Sequence, residues 1–74
     1  MNTHTNLLEP VTPLSKREGQ VLNLLSEGFI RKEISDRLNI AETTVDYHMK
    51  HIYRKLRAKN APAAVGQAYR SGIL

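Results

Sequence analysis

The stretch RKEISDRLNIAETTVDYHMKHIYRKLR, residues 31–57, decides the fold. Ile34 and Leu38 stand four apart, the spacing of the buried face of a short helix. Asn39 follows, and asparagine tolerates the left-handed conformation of a tight turn. A second pattern begins at Glu42. Val45, His48, Met49, Ile52 and Leu56 recur at helical spacing and define one stripe. Thr43, Asp46, Tyr47, Lys50, Arg54 and Arg57 define the opposite stripe. The spacing predicts helices over 31–38 and 42–57, joined by a short turn. The second helix docks one face on a core and presents long polar side chains on the other.

On the N-terminal side the pattern predicts a helix over 16–27. Ser15 can cap it, Glu18 three residues later completes a capping box, and Leu14 stands where a hydrophobic staple belongs. Val21, Leu22, Leu24 and Leu25 supply its apolar face, and Gly28 suits the left-handed position that ends a helix. On the C-terminal side a fourth helix is predicted over 62–71. Asn60 or Ala61 can cap it, and Pro62 fits a first turn, where a missing N–H costs nothing. Ala64, Val65, Ala68 and Tyr69 form its apolar face, and Gly72 ends it. No segment alternates as a strand does. The expected fold class is all-α, with a flexible tail over 1–13 and one domain over 14–74.

Charge sharpens the reading. The chain has 74 residues and a formal net charge of +4. Residues 1–41 carry five basic and five acidic side chains, whereas residues 42–74 carry six basic and two acidic ones, so the whole excess lies in the second half. A localised basic surface is the electrostatic footprint of a polyanion partner, although a solvated helix face has the same signature. The absence of cysteine excludes a disulfide scaffold, a thiolate zinc site and a cysteine nucleophile. The apolar runs fall far short of the ~20 residues that span a bilayer. Residues 1–13 lack a secretory signal, so the cytoplasm is the expected compartment.

Two short helices with an amphipathic, basic second member form a helix-turn-helix arrangement. The major groove is about 12 Å wide and admits one α-helix. Lys50, Arg54 and Arg57 are long enough to reach phosphate or guanine. Thr43 and Thr44, at the positive end of the helix, can bind phosphate. Lys32, with Arg31, stands where it would grip the neighbouring backbone. Competing chemistries find little support. His48 and His51 are three apart but have no evident third ligand, and His48 reads as a core histidine. Ser15 reads as a cap rather than a nucleophile. No enzyme, metal or cofactor is expected.

The run Leu14-Ser15-Lys16-Arg17-Glu18, then Val21-Leu22, Leu24-Leu25 and Gly28, resembles the opening of the LuxR-type (GerE, FixJ, NarL) DNA-binding domain. Lys32-Glu33-Ile34, Leu38, Ile40, Thr44-Val45, His48, Ile52, Lys55-Leu56, Ala64-Val65 and Gly72-Ile73-Leu74 continue it without gaps. The resemblance implies four helices, a third that reads DNA and a fourth that makes a dimer contact on a pseudo-palindromic site. It implies base contacts at Asp46, Tyr47 and Lys50, and phosphate contacts at Lys32, Thr43, Thr44 and Lys55. Lys55 is equally readable as a solvated lysine.

The chain departs from the family at four places. Asp46 stands where a lysine or arginine is usual, and could pair with Lys50 one turn on. Ala41 replaces a serine cap, and Asn39 and Arg57 replace glycines. The expectation is a sequence-specific transcription regulator binding duplex DNA as a homodimer. Asp46, Tyr47 and Lys50 would meet bases, and Lys32, Thr43, Thr44, Arg54 and Lys55 would meet phosphates. Val65, Ala68 and Tyr69 would meet the partner, unless that edge completes the core. RNA polymerase and another regulator are further candidate partners. The rival expectation, prompted by Asp46, is a protein-binding module that pairs with another LuxR-type regulator and modulates it. The tail cannot hold a sensing domain, so control is expected from expression level, a partner or a region outside this chain.

Overall fold

A computed structural model describes residues 13–74. The described residues form four helices and no strand: α1 (Lys16–Ser26), α2 (Arg31–Leu38), α3 (Glu42–Leu56) and α4 (Ala61–Arg70). The expected tail lies outside the described residues except for Pro13. Each predicted helix is present, with ends displaced by no more than a residue.

Local chemistry fixes those ends. Ser15 Oγ accepts from the Glu18 N–H (3.1 Å), and Glu18 Oε1 accepts from the Ser15 N–H (2.9 Å), so the capping box is complete. Glu27 caps α1 rather than extending it, and Gly28 follows at φ 95°. At α2 the N-cap is Ile30, whose side chain has no acceptor; Glu33 Oε1 nevertheless takes the Ile30 N–H at 2.9 Å. Asn39 turns the chain at φ 57°, ψ 47°, and the Ile40 N–H closes back on the Ser35 carbonyl at 3.1 Å. Arg57, expected inside the third helix, is instead its left-handed cap at φ 55°. Of the two candidate caps for α4, Asn60 holds the position, its Oδ1 accepting from the Ala63 N–H at 2.9 Å.

Val21 and Leu22 of α1, Ile34 of α2, Val45, Ile52 and Leu56 of α3, and Ala64 and Ala68 of α4 are fully buried together. Every helix therefore contributes to one core. Each large aliphatic side chain removed from water stabilises the fold by roughly 1.5–3 kcal/mol. Helix α3 packs against all three others and is held along its inner stripe. His48 and Met49 flank that stripe half-buried. After α4 the chain folds back, the Ile73 N–H reaching the Ala68 carbonyl at 2.8 Å, and Leu74 packs on the core.

Candidate nucleic-acid interface

The inner stripe fixes which side of α3 faces away. Thr43, Asp46, Tyr47, Lys50 and Arg54 are all exposed, as is Lys32 in the first turn of α2. Thr44 is half-buried. The structure thus exposes six of the eight expected DNA-contacting residues, five on α3 and Lys32 at the start of α2.

Lys55 is the eighth, and it is a correction. Its Nζ lies 2.7 Å from Glu18 Oε1, with the two side chains 20% and 8% exposed. In the unbound chain it is half of a mostly buried ion pair rather than a solvated lysine. Burial alone would raise the Glu18 pKa. The Lys55 hydrogen bond, the Ser15 N–H and the Lys55 charge outweigh that and hold the carboxyl below its ordinary value. Ala68 is a second correction: it is fully buried in the core and cannot touch a partner subunit. Of the expected dimer face, Tyr69 is 60% exposed and Val65 is half-buried.

The expected Asp46–Lys50 pair is replaced by another arrangement. Arg31 Nη1 donates to Asp46 Oδ2 at 2.6 Å, and Arg31 Nη2 lies 3.1 Å from Glu42 Oε1. The hydrogen bond to Asp46, the Asp46 charge and the Glu42 charge raise the Arg31 pKa, keeping it cationic. Arg31 therefore ties the start of α2 to the start of α3 instead of lying alongside Lys32 for the backbone. Among the described residues, Lys32 and Lys50 form no ion pair.

A second cluster lies along the same outer face. The Tyr47 ring sits edge-on to His51, with centroids 4.4 Å apart. Arg54 Nη2 is 2.7 Å from His51 Nδ1. Because a guanidinium can only donate, Nδ1 is the accepting atom in this contact. Sequence reasoning missed both clusters. The one available signal was an acid at position 46 accompanied by an arginine opening the preceding helix.

Fold and site together define a DNA-binding helix-turn-helix domain. Residues 12–68 match the bacterial regulatory proteins of the luxR family, and the chain belongs to that family. The HTH-type transcriptional regulator MalT of Vibrio cholerae is 40% identical over 67 residues, covering 88% of this chain and 7% of that protein. MalT of Yersinia pestis is 37% identical over 70 residues, covering 92% of this chain and 8% of that protein. The chain thus spans less than a tenth of these relatives. Among solved structures, the transcription factor GerE superposes with a TM-score of 0.74 at 32% identity, covering 80% of this chain and 88% of GerE. The response regulator ChrA superposes with a TM-score of 0.82 at 32% identity, covering 97% of this chain and 36% of ChrA.

Proposed function

We propose that this chain is a sequence-specific transcription regulator that binds duplex DNA as a dimer, with α3 in the major groove. One observation carries the reading: α3 is anchored by a buried stripe and exposes an opposite stripe of long polar side chains. Asp46, Tyr47 and Lys50 meet base edges. Lys32, Thr43, Thr44 and Arg54 hold phosphates. Tyr69, with the exposed edge of Val65, meets the second subunit. A partner of this kind sets the place of action at the nucleoid, in the cytoplasm.

The alternative, a module that pairs with another regulator, draws its motive from the negative charge of Asp46. The Arg31 guanidinium at 2.6 Å, shared with Glu42, offsets part of that charge, which favours DNA. Fluorescence anisotropy against a pool of random duplexes tests the choice. Binding at low salt that falls steeply as salt rises is the expected result, since each neutralised phosphate releases counterion. No binding at low salt, together with a stable heterodimer with a second luxR-family regulator, overturns it.

A further inference from the structure

We propose that Arg31 is a positioning residue for base readout: it holds the Asp46 carboxylate at the groove-facing side of α3 and leaves Oδ1 to accept from the exocyclic amino group of one base. The inference rests on the DNA reading above and adds a residue and a base chemistry to it.

Arg31 opens α2, and Asp46 lies one turn into α3, fifteen positions later. The guanidinium spans two carboxylates, one nitrogen on Asp46 and the other on Glu42. The fork geometry of arginine suits such a bridge, whereas the point charge of a lysine does not. Helix stability does not explain the residue's place, because a cation in a first turn opposes the helix dipole. The carboxylates opposite it do. Arg31 and Asp46 are about half exposed and Glu42 somewhat less, so the bridge lies on the surface that a duplex would approach.

Electrostatics gives the bridge a consequence. A bare carboxylate on the outer face of a groove-reading helix is repelled by phosphate. A carboxylate paired with arginine, here one guanidinium shared with Glu42, is repelled less and still has acceptor capacity. Oδ2 is occupied by Arg31, which leaves Oδ1. In the major groove the exocyclic donors are N4 of cytosine and N6 of adenine. The bridged Asp46 therefore selects an amino-bearing base at one position of each half-site.

The test is selection of duplexes by the wild-type chain, followed by anisotropy titration of the selected duplex and its single-base-pair variants. Wild type, Arg31→Ala, Arg31→Gln, Arg31→Lys, Asp46→Ala and the double variant Arg31→Ala/Asp46→Ala are compared, with folding checked by circular dichroism. Wild type is expected to prefer cytosine or adenine at one position, and the single-base variants say which. Arg31→Ala and Asp46→Ala should each reduce that preference by about tenfold at the same position. The double variant should lose no more than either single one, and Arg31→Lys should keep part of the preference. Arg31→Gln serves if Arg31→Ala does not fold.

Two results overturn the inference while leaving DNA binding in place. One is a uniform loss across all duplexes with base preferences intact. The other is a salt slope lower by about one, which marks Arg31 as a phosphate ligand. Failure of the wild type to bind any duplex overturns the DNA reading itself, and this inference with it.

Discussion

Lys55 Nζ and the Ser15 N–H converge on a single oxygen, Oε1 of Glu18, at 2.7 and 2.9 Å. The last turn of α3 is thereby fastened to the first turn of α1, across 37 positions of sequence. Glu18 serves as cap and counter-ion at once.

Replacing Lys55 by alanine strands a buried carboxylate with only its capping contacts. We expect a loss of about 1–3 kcal/mol in denaturant unfolding. The salt dependence of DNA binding should stay unchanged. A slope reduced by about one unit would return Lys55 to the phosphate ligands.

The same pair predicts an acid-sensitive limb in stability. The folded-state pKa of Glu18 lies below its ordinary value of 4.5. Its contribution is therefore complete above that value and is lost as pH falls through the depressed one. Melting temperature should decline below about pH 4.5 in the wild type. Glu18→Gln should flatten that part of the decline while lowering stability at neutral pH. Parallel curves for the two proteins would contradict the assignment.

Lys50 and Lys32 should separate by the kind of loss each causes. Lys50→Ala is expected to weaken binding to the selected duplex by roughly 1–3 kcal/mol and to relax preference at one base pair. Lys32→Ala should weaken all duplexes alike and reduce the salt slope by about one. Unchanged affinity of Lys50→Ala for the selected duplex would remove Lys50 from the reading face.

Ala41 is the N-cap of α3 and has no side-chain acceptor to offer. Its backbone is already extended, at φ −67° and ψ 151°, as a cap requires. Ala41→Ser should stabilise the domain by about 1 kcal/mol, measured by thermal or urea unfolding. A neutral or destabilising result would mean that the first-turn N–H groups are already satisfied.

Much of the fold was legible because its signals are local. Ser15 and Glu18 are three residues apart, Asn60 caps the helix it precedes, and the stripe from Val45 to Leu56 lies on one element. The exposed face that makes up the candidate site was legible in outline for the same reason, since that stripe fixes the opposite side. The partners of Lys55, Asp46 and Arg31 were not. Those contacts join different helices, and their geometry depends on how α1, α2 and α3 cross. Within one helix, Asp46 and Lys50 are well spaced to pair. The packed structure gives Asp46 an arginine from the preceding helix instead. Ala68 was ambiguous on similar grounds, because apolar spacing marks a face without saying whether the neighbour is the same chain or another.

The Tyr47, His51 and Arg54 contacts bear on the thermodynamics of complex formation. An aromatic ring braced against an imidazole, which also fixes a guanidinium, enters an encounter with few rotamers left to surrender. Ordering a mobile side chain on association costs about 0.5–1.5 kcal/mol. Where these contacts restrict the three side chains before binding, that entropic penalty falls, and His51→Ala, which removes the brace but leaves Tyr47 and Arg54, should show a more unfavourable binding entropy by calorimetry.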